Sequence, residues 1–167
     1  QEDSTMEAVL VSGIAYDKDQ ARVTLRGVPD IPGIAAAIFG PLSEQGVLVD
    51  MIIQNTSRDG VTDMTFTISR KDLKKTLEIM NDIAAKTHSK EVLYDTNVAK
   101  VSAIGVGMRN HSGVAARAFA ALQNENINIL MISTSEIKIT ILIEDKYVEL
   151  AVRILHDTFG LDWDIGA

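Results

Sequence analysis

Two stretches of this chain are versions of one another, and that constrains its fold more than any single residue does. Residues 21–57 read ARVTLRGVPDIPGIAAAIFGPLSEQGVLVDMIIQNTS, and residues 99–135 read AKVSAIGVGMRNHSGVAARAFAALQNENINILMISTS. Val23 aligns with Val101 and Gly27 with Gly105 at a spacing of 78. Gly33 aligns with Gly113, Ala35 with Ala115, Phe39 with Phe119, Leu42 with Leu122 and Met51 with Met131, all at a spacing of 80. The second copy therefore carries two extra residues between its strand and its helix. One supersecondary unit is present twice.

Each copy has the same coarse order. A β-rich run (RVTLRGV, KVSAIGV) leads through a turn into an amphipathic helix. In the first copy Ile34, Ile38 and Leu42 recur every four residues, with Ala35 and Phe39 beside them, which is one apolar face of a helix. A second β-rich segment follows (VLVDMIIQN, INILMISTS) and then a third (TDMTFTIS, IKITILIE). A second helix comes next. Ser69 and Asp72 have the spacing of a capping box ahead of Leu73, Leu77 and Met80. Asp145 is the expected cap of a helix carrying Val148, Val152 and Leu155. A short strand, EVLYD, closes the first copy. The order β-α-β-β-α-β is the ferredoxin-like unit, an α+β fold.

The second copy lacks a last strand, because FGLDWDIGA leaves little room for one, while AVLVSGIAY (8–16) precedes the first copy without a role. Giving that N-terminal strand to the second unit places the first unit inside it. The expected boundaries are 18–97 for the first unit and 7–17 plus 98–162 for the second, with 1–6 a flexible leader. Gly40-Pro41 falls within the first helix, where proline removes a backbone hydrogen bond, so a bend is expected there.

Composition narrows the partners. The 167 residues carry a formal net charge of −7, which argues against nucleic acid or an anionic membrane. No cysteine is present, so disulfides, thiolate catalysis and zinc–sulfur sites are excluded, in keeping with a cytoplasmic protein. The acidic start QEDSTMEAV is neither a secretory signal nor a transit peptide. No apolar run approaches the roughly 18 residues that span a bilayer.

Catalytic chemistry is hard to find. There is no Walker-type phosphate loop, and AIGVGM (103–108) reads as a tight strand exit. His88, His111 and His156 lie far apart with no partner three or four residues away, so no metal site is expected. No Ser-His-Asp order stands out. No catalytic residue is assigned.

The turn Asp30-Ile31-Pro32-Gly33 offers something else. A helix starting at Ile34 exposes the unpaired N–H groups of its first turn, and these favour a carboxylate or phosphate. Gly33 allows close approach to the backbone, and Asp30 can take a cation. Those are the two ends of a free α-amino acid. The purely structural alternative is a helix start with Asp30 as its cap and Pro32 in its first turn.

With those residues in view, the chain resembles the ACT domain, an amino-acid-sensing module of β-α-β-β-α-β order. AVLVSGIAYDKDQARVTLRGVPDIPG, VDMIIQN, TDMTFT, NVAKVSAIGVGM and ISTSEIKI further resemble the regulatory region of the aspartate kinase family, from Met6 to about Phe159. In that family a separate regulatory β subunit is often translated from an internal start, which would give Met6 a meaning. The resemblance implies tandem ACT domains, the first inserted in the second, pairing into a homodimer with shared sheets. It also implies feedback inhibition of the first step from aspartate toward lysine, threonine and methionine. Lysine and threonine would be the effectors. The partner would be the aspartate kinase catalytic subunit or domain, to which ATP and Mg would belong; no cofactor is expected in this chain.

Carried over by resemblance, a threonine-type pocket would use Asp30, Ile31, Pro32, Gly33, Ile34, Ala35 and Gln54, joined by Asn128 and Ile129. A lysine-type pocket would use Leu48, Val49 and Asp50 with Val114, Ala115, Ser135 and Glu136. There Asp50 and Glu136 would meet ammonium groups, and N–H groups near Val114 and Ala115 the carboxylate. Three positions depart from the family pattern, and they bear on lysine recognition more than on threonine recognition. Ser112 stands where proline is common, Leu48 where asparagine is common, and Ala115 offers no hydroxyl. Other readings are a different ACT-type regulatory subunit, such as the small subunit of acetolactate synthase, a small ferredoxin-like enzyme, and a dimerisation module indifferent to amino acids.

Overall fold

The computed structural model describes residues 11–105 and 112–161, apart from the side chain of Ser112. The expected leader, residues 8–10 of the N-terminal strand, the glycine pattern beyond residue 105, His111 and the end of the chain from residue 162 lie outside the described residues. The chain divides into two compact units. One holds residues 19–96; the other is made of the residues up to Lys18 together with those from Asn97 on.

The unit 19–96 contains the second half of β1 (Val11–Pro29), α1 (Ile34–Glu44), β2 (Ile52–Gln54), β3 (Val61–Ile68), a 3-10 turn (Arg70–Asp72), α2 (Leu73–Thr87) and the first part of β4 (Glu91–Gly105). Its strands lie in the order β2-β3-β1-β4. β1 runs antiparallel to β3, with Val23 opposite Phe66 and Leu25 opposite Met64. Arg22 pairs with Asp95 at 2.7 Å and Arg26 with Glu91, tying β1 to β4. Such half-exposed pairs contribute under about 1 kcal/mol each, so they fix register more than they stabilise.

The apolar face read at Ile34, Ile38 and Leu42 is buried as expected, against Val23, Leu25, Met64, Phe66 and Ile68. Phe39 meets Phe66 edge to face, centroids 5.4 Å apart. α1 runs on through Pro41 to Glu44. The proline has no N–H to give to the Ala37 carbonyl, so one bond of the helix ladder is lost there. On α2 the buried residues are Thr76, Met80 and Ile83, while Leu73 and Leu77 are half-buried.

The other unit contains the first half of β1, the rest of β4, α3 (Ser112–Asn124), β5 (Met131–Thr134), β6 (Lys138–Glu144), a 3-10 turn (Asp145–Tyr147) and α4 (Val148–Thr158). Its strand order is β1-β4-β6-β5. Its core gathers Val11, Val101, Val114, Leu122, Ile141, Ile143 and Leu155. Ile132 lies opposite Ile141 on β5 and β6, as Ile52 lies opposite Phe66 on β2 and β3. The two units thus share a register as well as an order. Both are ferredoxin-like.

Several local expectations change. The strand segments at 11–16 and 22–28 are parts of one strand, and so are EVLYD and KVSAIG, because no Gly or Pro breaks Tyr16–Arg26 or Glu91–Ile104. The second β-rich segments shrink to three and four residues. The capping box at Ser69 does not form. Instead the Ser69 hydroxyl and the Arg70 N–H both donate to the Asp19 carboxylate, the latter at 3.0 Å. These bonds and the nearby Lys71 and Arg70 hold the Asp19 carboxyl below its ordinary range. Asp145 lies in the 3-10 turn, one turn ahead of α4, whose N-cap position is Tyr147.

Candidate functional site

The turn between β1 and α1 is shaped by three glycines. At Arg26–Gly27 the pairing of β1 with β3 slips, forming a bulge. Gly27 has φ +67°, and its N–H donates to the Asp63 carboxylate at 3.0 Å. The bulge turns Val28 and Pro29 back into register and delivers Asp30 beside the loop ahead of β3. There the Asp30 N–H donates to the Gly60 carbonyl at 2.9 Å. Gly60 belongs to a two-residue hairpin, Asp59-Gly60, with both φ angles positive and Arg58 and Val61 exchanging backbone bonds at 2.8 and 3.1 Å. The Arg-Asp-Gly signal for that hairpin was visible in the sequence; its bond to Asp30 was not.

Pro32-Gly33 then makes a type II turn. Gly33 has φ 90° and ψ −7°, and the Ile34 N–H donates to the Ile31 carbonyl at 3.2 Å. That geometry needs a positive φ at its third residue, which glycine supplies without strain. The purely structural alternative is thereby corrected. Asp30 does not cap α1, and Pro32 precedes the helix, because the type II turn stands between them. Gly33 occupies the N-cap position with no side-chain cap bond.

The first intrahelical bond runs from the Ala37 N–H to the Gly33 carbonyl at 3.0 Å. The N–H groups of Ala35 and Ala36 are thus left as donors without an intrahelical acceptor. The Asp30 carboxylate is instead approached by the Gln54 amide, Nε2 to Oδ1 at 3.4 Å. Asp30, Ile31, Pro32, Gly33, Ala35 and Gln54 are exposed, whereas Ile34 is buried and can offer only backbone. The arrangement presents a carboxylate and uncapped helix donors on one exposed turn.

Asn128 and Ile129 belong to the other unit, where they line a cleft of about 370 Å³ with Phe119, Gln123, Asn126 and Ile127. The residues of the second expected pocket are likewise divided. Leu48 is 83% exposed, Val49 is half-buried, and Asp50 is exposed with its N–H bound to the Thr67 carbonyl at 3.1 Å. Val114 is fully buried in its own core, so only its backbone could meet a ligand. Ala115 is half-buried. The Ser135 hydroxyl accepts from the Lys138 N–H at 3.2 Å inside a tight turn, and Glu136 is exposed at the tip of that turn. Among the described residues no group of three or more His, Asp or Glu could hold a metal ion, and no helix is long and apolar enough to cross a membrane.

Two segments match the ACT domain, residues 23–85 and residues 101–159. The fold and its repeat are therefore those of a tandem ACT protein. The chain is 39% identical to the regulatory subunit of aspartate kinase from Thermus thermophilus in its ligand-free form. That match covers 90% of this chain and 99% of the other, with a TM-score of 0.86. It is 52% identical to a chain in the crystal structure of aspartokinase alpha and beta subunits, with the same coverages and a TM-score of 0.85. It is also 54% identical over 165 residues to an aspartate kinase of Stutzerimonas stutzeri. That alignment takes in 99% of this chain but 40% of that protein. The chain thus spans about 40% of the length of the curated aspartate kinases it matches. It belongs to the aspartate kinase family and corresponds to the regulatory, ACT-domain part.

Proposed function

We propose that the chain senses end-product amino acids, threonine and/or lysine, and transmits feedback inhibition to an aspartate kinase catalytic subunit or domain. The reaction controlled would be the first step from aspartate toward lysine, threonine and methionine, in the cytoplasm. ATP and Mg would belong to the catalytic part. The observation that carries this reading is the β1–α1 turn. It sets the Asp30 carboxylate, an acceptor for an ammonium group, on the same turn as the uncapped Ala35 and Ala36 N–H groups, which suit a carboxylate. Threonine is the better supported effector, because the departures at Leu48, Ser112 and Ala115 bear on lysine recognition more than on threonine recognition.

The reading includes a homodimer in which each pocket draws on two chains. Two features support it. β2 and β5 end the strand orders of their units, and each exposes the equivalent isoleucine, Ile52 at 52% and Ile132 at 46%. Short edge strands with an apolar side chain suit pairing with a second copy. An effector bridging two chains shifts the kinase only by its differential affinity for the two arrangements.

Calorimetry on the purified chain tests the reading directly. Threonine should bind and raise the melting temperature at millimolar concentration, as a ligand of the native state must. Asp30→Ala should weaken it at least tenfold with the fold intact. Indifference to both threonine and lysine would sink the sensor reading and leave a dimerisation module.

A further inference from the structure

The two units differ on their helical faces. In the unit that begins again at Asn97, Arg117 of α3 reaches across to α4. Its Nη2 donates to the Thr158 carbonyl at 2.6 Å, and its guanidinium lies 5.1 Å from the centre of the Phe159 ring. That side chain, itself exposed, bridges the two helices. In the unit 19–96 the repeat places Ala37 where Arg117 stands, at the spacing of 80. Counting from the 3-10 turns, Leu73 corresponds to Val148 at a spacing of 75, which puts Ala84 where Phe159 stands. Neither the bridging arginine nor the ring beneath it is present at the equivalent positions. A groove of about 380 Å³ remains between α1 and α2.

The walls of this groove define what fits it. Ala37, Pro41, Ile79 and Ile83 supply apolar surface, and Glu44, Glu78 and Asp82 stand around it as carboxylates. Lys86 also lines the groove, but it is held by Asp82 at 2.9 Å. Lys75 reaches only the far end, where it donates to the Gln45 carbonyl at 3.0 Å. The carbonyl equivalent to that of Thr158 is Ile83's, and the Thr87 hydroxyl already donates to it at 2.7 Å. A cation entering here therefore meets side-chain carboxylates rather than a helix end.

We propose that the groove between α1 and α2 is a docking site for an arginine presented by a segment of a partner protein, which supplies in trans the side chain that Arg117 supplies within the other unit. Arginine fits better than lysine, since its flat guanidinium can lie on the apolar wall while it donates to two carboxylates. This site is separate from the amino-acid turn and stands or falls independently of it.

The test uses the full ¹⁵N-labelled chain and three probes. The first is an alanine-rich capped helical peptide with one central arginine. The second is its twin with citrulline in that place, and the third is L-argininamide. The arginine peptide should bind saturably, with amide shifts confined to residues 37–45 and 78–87. It should bind at least tenfold more tightly than either the citrulline twin or argininamide. Ala37→Arg, which refills the groove from within, should abolish binding. A Glu78→Gln/Asp82→Asn double variant should weaken it at least tenfold while leaving the calorimetric response to threonine unchanged, and this holds the test open if Ala37→Arg does not fold. Equal binding of the citrulline twin, shifts on another face, or no saturable binding would overturn the proposal. Argininamide binding as tightly as the peptide would overturn it in favour of a small guanidinium ligand.

Discussion

The unit 19–96 and its counterpart share strand order, helix order and edge-strand register, yet they solve equivalent local problems with different groups. At the helical face one unit spends an arginine and a phenylalanine where the other has two alanines. At the entrance to the second helix, one unit uses a carboxylate from another strand, Asp19, to hold Ser69 and Arg70. In the other, Glu144 occupies the position equivalent to Ser69 and makes no side-chain cap bond. A duplicated fold therefore keeps its core register first. Groups around the core are free to diverge, and that is where function can be read.

The largest expected effect compares the cores themselves. Phe66 and Ile141 occupy the same register position, opposite Ile52 and Ile132. Phe66→Ala should cost about 3–5 kcal/mol, since it removes a fully buried ring and its edge-to-face contact with Phe39. Ile141→Ala should cost less, about 2–4 kcal/mol, having no ring contact to lose. Urea unfolding of both variants checks the order, and a larger loss at Ile141 would break the equivalence drawn here.

A middle-sized effect separates two glycines with positive φ. A Cβ on Gly27 would lie 2.9 Å from the Lys90 Cβ and 3.2 Å from the Lys90 N, whereas one on Gly33 would meet nothing within 4 Å. Gly27→Ala combines backbone strain with a clash against backbone and should cost about 2–3 kcal/mol. Gly33→Ala carries strain alone, about 1 kcal/mol. Equal melting temperatures for the two variants would show that the bulge at Gly27 yields more easily than its surroundings suggest.

The smallest effect is the pH dependence of the Asp19 cap. Because folding depresses the Asp19 carboxyl, its contribution is present above the ordinary aspartate range and is lost as pH falls through and below it. The group is exposed, so the whole contribution is under about 1 kcal/mol. Asp19→Asn should therefore melt slightly below the parent at neutral pH, and the gap should close on acidification. A gap that stays constant with pH would mean that the charge on Asp19 is irrelevant to the cap.

The face at Ile34, Ile38 and Leu42 was readable because it rests on periodicity within a dozen residues, and the repeat with its β-α-β-β-α-β order because matching residues recur at spacings of 78 and 80. The capping box at Ser69 was misread because its competitor, Asp19, lies 50 residues away in sequence. Burial of Thr76 rather than Leu77 likewise depends on how α2 rolls onto the sheet, which spacing alone does not set. At the candidate site, Asp30 and Gly33 were visible as a pair of unusual residues. The type II turn was also encoded in Pro32-Gly33, but its consequence, that Asp30 is released from capping and meets Gln54, required the fold. Arg117 opposite Ala37 stood in the aligned repeats from the start, and only the bridge to Thr158 in one unit and the open groove in the other gave the difference a meaning.

The chain enters the unit 19–96 along β1 and leaves it along β4, and these strands are bound to each other at Arg22–Asp95, close to both ends of the unit. The two ends of this segment therefore emerge side by side. A genetic exchange needs only two cuts, at neighbouring points in space, to lift the whole unit out and seat a relative's in its place. Evolution could thus retune one half of the molecule by recombination, without waiting for point mutations to repack it.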